Sequence, residues 1–431
     1  MRSLVTRSLR RASLLALSAA CLPACGDDGA ATTNGSGGAT SSGSPTSSST
    51  ASSSPTSGGG DGSGGDDPTS PSSSAASSPT SSSGGQGGEG GSAPIATVPY
   101  VYVGRAGGVI ERWLLDRATG ELSSLGEVDV GGDPSFLAAS PDGTHLYAVD
   151  SSASEVMAFS IDVATGDLAE IGTRRSSEGS GPAYVSVDRS GAWALIANYG
   201  GGTVAVLPIA ADGTLGDAVD VESPGANPHL IRTDPTNTYA FVPCLGSDHV
   251  AQYFFNEETG QLALHGNAPV PDGAGPRHLE FHPTLPRVYV INELGDSLTT
   301  FTLDEGLLIE PETISTLPDG QDGSGNACAD LHVHPSGDML YGSNRGFDTI
   351  AAFPLDGAGT ASAPTQTSID GEWPRNFGLD PDGDILLVAN QYSDEIVTFR
   401  IDARSSSLSQ LATTPTGSGP SWVGVVAQPA P

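Results

Sequence analysis

From Tyr100 onward, apolar and polar residues alternate with a period of two over runs of five to seven, and each run stops at turn-forming residues. That alternation marks short, half-buried β-strands rather than helices. One phrase recurs along the chain: a Pro-led apolar strand, an Asp/Pro/Gly turn, a second apolar strand, a polar tip and a third strand. It is written "PSFLAASPDGTHLYAVDSSASEVMAFSID" from Pro134 and "PAYVSVDRSGAWALIANYGGGTVAVLPI" from Pro182. It returns at Pro228, Pro276, Cys328 and Pro374, and a truncated copy, "PSWVGVV", starts at Pro420; the copies are spaced 46 to 52 residues apart. A more polar segment ending near "GDL", "GTL" or "GQL" follows and reads as a fourth strand.

Four antiparallel strands per repeat at this period predict an all-β chain folded as a β-propeller. The last copy holds a first strand only, and the stretch "YVYVGRAGGVIERWLLD" at 100–116 supplies the strands it lacks. The prediction is therefore seven blades, the last closed by strands from both ends of the domain, which leaves no exposed sheet edge.

The hairpin between the first two strands of a repeat brings the residues flanking it to one face of the ring. In "GAGPRHLEFHPTLPRVYVINELGDSL" the first strand is read as Leu279 to Phe281 and the second as Arg287 to Asn292. Arg277 and His278 then stand before the hairpin and Glu293 after it, at one mouth of the propeller. The same positions elsewhere hold Asp133, Tyr184, His229, Asp330 and Arg375 before the first strand. After the second stand Asp150, Asn198, Tyr199, Asn344, Arg345, Asn390 and Gln391. The opposite face receives "SPDG", "DRSG", "HPSG" and "DPDG", which are ordinary turn sequences. His282, His332 and His334 are read as structural strand and turn residues of that far side. One face is rich in Arg, His, Glu, Asn and Gln and the other is generic, so the first carries the candidate chemistry.

Composition divides the chain. Residues 1–25 open with four arginines and a short apolar run, the pattern of a secretory signal too short to span a membrane as a mature helix. It ends in "LPAC", which resembles a bacterial lipobox and makes Cys25 the expected lipidation site. Residues 26–97 are almost wholly Gly, Ser, Thr, Pro, Ala and Asp before the first strand, and cannot bury enough apolar surface to offset the entropy of ordering. They are read as a disordered tether between an anchor and the propeller of residues 98–431. The chain has no lysine and 17 arginines, with a formal charge of −33. That charge argues against nucleic acid and anionic membrane surfaces as partners and favours a monomer. Membrane contact is expected through the lipid alone, which places the protein in the cell envelope. Cys244 and Cys328 are too few for a disulfide framework and are read as buried small residues; no spacing of His and Cys calls for a metal or other cofactor.

The phrases "GAGPRHLEFHP", "YVINEL", "SNRGFDTIAAF", "PRNFGLDPDGDILLVANQ" and "LIANYGGGTVAVLPI" resemble the seven-bladed propeller lactonases, typified by the propeller-type 6-phosphogluconolactonases, with fungal carboxy-muconate cycloisomerase in the same group. The similarity spans about residues 98 to 427, with several motifs in order. It implies a site in the central mouth with His229, Arg277, Glu293 and Arg345 as catalytic residues. It also implies His278 and Gln391 nearby, and with Asn198, Asn344 and Arg375 of the same polar face these are the expected substrate contacts. The chain departs from the family at Asn227, where a first histidine is common, at Tyr184 and at Cys244, which leaves the substrate open.

Opening a lactone needs a base to activate water and cations to stabilise the oxyanion. Glu293 and His229 are the candidates for the base, with Glu293 preferred and His229 as its partner. Arg277 and Arg345 would bind an anionic or sugar lactone and keep Glu293 ionised. A phosphorylated sugar lactone is a cytosolic metabolite, whereas this chain carries an export signal, so a different sugar lactone is expected. The other reading is a non-catalytic binding propeller at the cell surface.

Overall fold

A computed structural model describes residues 97–430 except 403 and 406, so the expected signal, lipidation site and most of the tether lie outside the described residues. The described chain is built of seven antiparallel sheets, with a single short 3₁₀ turn at Leu245–Ser247. Numbered by their innermost strands, blades 1 to 6 begin at Pro134, Pro182, Pro228, Pro276, Ala327 and Pro374. Blade 7 pairs the C-terminal strand Pro420–Pro429 with Thr97–Arg105, followed by Val109–Leu115 and Leu122–Asp129. The ring is thus closed by both ends of the domain, as the truncated last repeat predicts.

The strands carry the expected alternation, and their apolar faces pack between neighbouring blades. Strand-two tyrosines are wholly buried, which requires a partner for each hydroxyl. Each finds one on the next blade: Tyr102 donates to the Gly166 carbonyl, Tyr147 to Gly213 at 3.0 Å and Tyr289 to Gly359 at 2.7 Å. Glycine is required at Gly166 and Gly213, where φ is +70° and +81° and a Cβ would sit within 2.5 Å of the neighbouring ring. These blade contacts therefore set a turn-glycine carbonyl on a buried tyrosine hydroxyl.

The inner strands differ from the simple reading in one respect that builds the site. The strand of blade 4 starts at Pro276 rather than Leu279, and its pairing shifts: Pro276 faces Asn292, but His278 faces Ile291, leaving Arg277 as the extra residue of a bulge. Blade 6 repeats this with Arg375, and blades 1, 2 and 7 with Ser135, Ala183 and Ser421. A bulge bends the strand and re-aims a side chain. In blade 3 the inner strand is broken, with only Arg232 and Thr233 in regular pairing and Pro228 bridged to Cys244. Asn227, just before it, holds φ +53°.

Candidate active site at the propeller mouth

Glu293 follows the second strand of blade 4, and Arg277 occupies the bulge of the first. Arg277 Nε lies 2.9 Å from Glu293 Oε2, off the N–H direction, so the contact is an ion pair rather than a directed hydrogen bond. From blade 5, Arg345 brings Nη2 to 2.9 Å from the same oxygen. Both arginines are buried and also donate to carbonyls: Arg277 Nη1 to Ala329 at 2.5 Å, Arg345 Nε to Ala327 and Nη2 to Cys328. Burial alone would raise the Glu293 carboxyl, but Arg345 and Arg277 outweigh it and hold it below the ordinary value. Burial and the Arg345 cation pull Arg277 down to about 9, still protonated at neutral pH.

His229, in the broken strand of blade 3, is buried and its Nδ1 has no protein partner. Its ring meets Tyr199 and His278 edge-on at 5.5 and 5.1 Å. Burial and the cations of Arg277 and Arg375 keep it well below the usual histidine value, so it is neutral. A neutral buried imidazole with an unpaired nitrogen is a group that a bound ligand would satisfy.

His278 is not a residue of the loop before the strand but a member of it, facing the axis. Its Nδ1 is 2.7 Å from Asp330 Oδ1, and its Nε2 is 3.4 Å from Arg277 Nη1. Asp330 also contacts His332 Nε2 at 3.3 Å and takes Nδ2 of Asn376. His332 in turn lies 3.4 Å from Glu280 Oε1, which pairs with Arg232 at 2.6 Å. An unbroken polar chain therefore runs down the axis through blades 3 to 6. His332 is placed otherwise than on the far side: it lies on the inner strand of blade 5 beside Asp330 and packs edge-on against Phe377, a structural role in a different place. Sequence alternation alone does not distinguish an inward from an outward polar position on an inner strand. Across the axis, Phe136 and Tyr184 touch the His278 ring at 5.9 and 5.4 Å and form an apolar floor.

Of the other expected contacts, Arg375 is near enough to act electrostatically on His229, Arg277 and Glu293. Gln391 is half-buried after the second strand of blade 6, its backbone N–H donating to Trp373. Asn198 and Asn344 are not brought to the mouth. Both are fully buried in their own blades, Asn198 donating to Ser177 at 2.6 Å and Thr203 at 3.1 Å, and Asn344 to Thr316 and Thr349. Asn292 occupies the same place in blade 4, bonded to Ser297 and Thr299. These asparagines are strand-end fasteners.

The sequence reading missed Trp373. It holds φ +64°, an outlier for a bulky residue, with its N–H on Asp348 at 2.9 Å. The Arg345 guanidinium lies 5.3 Å from its ring, and Tyr392 stacks on it at 4.9 Å. Only the aromatic itself, in the otherwise polar "DGEWPRN", was a signal. Cys244 and Cys328 are buried free thiols. Among the described residues no group of three or more His, Cys, Asp or Glu is placed to hold a metal, and no helix is long and apolar enough to cross a membrane.

The described residues thus form a ring of seven blades in which two arginines from adjacent blades clamp one carboxylate. Residues 98–425 match the model of the seven-bladed β-propeller lactonases, and the chain belongs to that family. It is 34% identical over 322 residues to the 6-phosphogluconolactonase of Pectobacterium carotovorum, covering 74% of this chain and 95% of that one. It is 31% identical over 264 residues to that of Bacillus subtilis, covering 58% and 74%. The periplasmic gluconolactonase of Pseudomonas aeruginosa superposes with a TM-score of 0.72 at 29% identity, covering 77% of this chain and all of the other.

Proposed function

We propose that the protein is an exported lactonase that hydrolyses a sugar lactone at the Glu293 mouth. The observation that carries this reading is the single carboxylate held between Arg277 and Arg345 from adjacent blades. Water attacking a lactone carbonyl turns its oxygen into an oxyanion, and buried guanidiniums aimed at that charge stabilise it far more than solvent would. Glu293 is ionised and orients and polarises the attacking water; His229 offers its unpaired nitrogen to the substrate. With Arg375 alongside, the mouth is cationic within a chain of net charge −33, which favours an anionic or oxygen-rich ligand.

The likeness to a periplasmic gluconolactonase supports an unphosphorylated aldonolactone met in the envelope over a phosphorylated one. The signal pattern and Cys25 support anchoring there by lipid, the propeller acting as a monomer beyond the tether. A pH-stat screen of phosphorylated and plain aldonolactones tests the assignment. Hydrolysis above background is expected with the plain lactones, and none with any lactone would leave a binding propeller.

A further inference from the structure

Arg277 and Arg375 fill the same place in their blades, each the extra residue of an inner-strand bulge. The residue after each rejoins the regular pairing, His278 opposite Ile291 and Asn376 opposite Ala389. One carboxylate of blade 5 meets both. Asp330 Oδ1 is 2.7 Å from His278 Nδ1, and Oδ2 accepts from Asn376 Nδ2 and from the Phe377 N–H. An ionised carboxylate only accepts and a guanidinium only donates, so the two neighbours of His278 agree on its tautomer. Nδ1 carries the proton toward Asp330, and the Nε2 lone pair accepts from Arg277 Nη1 at 3.4 Å. Burial and the Arg277 cation hold the ring down to about 4, so at neutral pH it is uncharged and keeps that lone pair.

These contacts decide what fixes the plane of the Arg277 guanidinium. Glu293 lies against Nε off the N–H direction, and an ion pair of that kind attracts without orienting. Nη1 differs, with the Ala329 carbonyl at 2.5 Å and His278 Nε2 as its two acceptors. Two acceptors in different directions hold a planar group in one orientation. We propose that His278, kept in one tautomer by Asp330, is a positioning residue that orients the Arg277 guanidinium. Its kinetic consequence rests on the lactonase reading of the mouth. A guanidinium stabilises an oxyanion best when it is already in place before the charge develops. With its Nε2 lone pair filled by an N–H, His278 acts through Arg277 and takes no proton from water.

Asp330 selects the tautomer because of what surrounds it. Its Oδ2 faces Asn376 Nδ2, the Phe377 N–H and His332 Nε2. In Asp330→Asn those groups keep the amide oxygen on their side and turn the NH2 toward His278 Nδ1. The ring proton then moves to Nε2, where it confronts Arg277 Nη1. A carboxylate-to-amide change beside the histidine of a hydrolase triad likewise selects the wrong tautomer.

The test uses the full-length protein and reads structure and rate separately. Long-range proton–nitrogen NMR is expected to show His278 with Nδ1 protonated and Nε2 bare, and the reverse in Asp330→Asn. A protonated Nε2 in the wild type, or an unchanged tautomer in the variant, overturns the proposal. Restricted rotation about the Arg277 Cζ–Nη1 bond should give a resolved Nη1 signal. That signal should persist in His278→Gln, whose Oε1 replaces the acceptor, and average in His278→Leu. With glucono-δ-lactone, His278→Leu and Asp330→Asn are each expected to lower kcat about 10- to 10²-fold with KM within a few-fold, the scale of one hydrogen bond to a charged group. His278→Gln should bring kcat back to within about threefold of the wild type, since the acceptor is restored. A Gln variant as slow as the Leu variant, or a Leu variant as fast as the wild type, overturns the positioning role while the lactonase reading stands. No turnover by the wild type overturns that reading, and the nitrogen spectra then decide the positioning alone.

Discussion

Arg345 and Glu293 belong to different blades, and the 2.9 Å contact between them ties the fifth blade to the fourth at the centre of the mouth. Neither arginine is placed by local sequence alone. Arg277 is the extra residue of a bulge, and Arg345 ends a fully buried strand with Trp373 of blade 6 against its guanidinium. The site is assembled by ring closure, so a change in a neighbouring blade alters it.

Trp373 is the clearest case. It touches Arg345 rather than Glu293, and a cation over an aromatic face contributes about 0.5–1 kcal/mol where partly exposed. Trp373→Ala is expected to raise KM for an anionic lactone by roughly two- to fivefold, the equivalent of that energy, with kcat little changed. Initial rates over a substrate series would show it, and an unchanged KM would mean that Arg345 is held by its carbonyl contacts alone.

The axial chain gives stability a defined pH dependence. His332 is raised to about 10: burial opposes its charge, but Asp330 and Glu280 prevail. A histidine raised above its unfolded value stabilises fully below about 6.5 and loses that contribution as pH rises toward 10. His278 is lowered to about 4, by burial and by Arg277. The unfolded chain then binds the extra proton between about 4 and 6.5, so stability falls as pH drops through that window. Denaturant midpoints should peak near neutrality, and His332→Gln should flatten the alkaline side alone. An unaltered alkaline slope in that variant would assign the effect elsewhere.

Asn198 offers a contrast between fold and function. Its amide nitrogen donates to Ser177 and Thr203 inside blade 2. Asn198→Ala should cost about 1–3 kcal/mol by leaving the buried Ser177 carbonyl unpaired. Its kcat/KM should stay within about twofold, since a residue without substrate contact contributes little to transition-state binding. Chemical denaturation and steady-state rates on one preparation separate the two, and a large KM rise at wild-type stability would restore it to the site.

How much of this the sequence shows follows from what each signal is made of. The blades are legible because each repeat writes its own turns, and the truncated copy at Pro420 demands the N-terminal strands. The Arg277–Glu293 encounter is legible because a hairpin of known length joins them. The chain Arg232, Glu280, His332, Asp330 is not, since those residues come from three blades and meet only around the axis. Asn198 and Asn344 mislead for the opposite reason. A polar strand end looks the same whether it turns toward the mouth or back into its own sheet.

In the proposed reaction, the carboxylate clamped by two arginines makes this propeller a lactone hydrolase. The most direct measurement is pH-stat hydrolysis of glucono-δ-lactone by the full-length protein and by Glu293→Gln, each corrected for spontaneous opening. Removing the charge that orients the water should lower kcat by about 10² to 10³-fold while the variant stays folded. Equal rates for the two proteins, at background or above it, would remove Glu293 from the reaction.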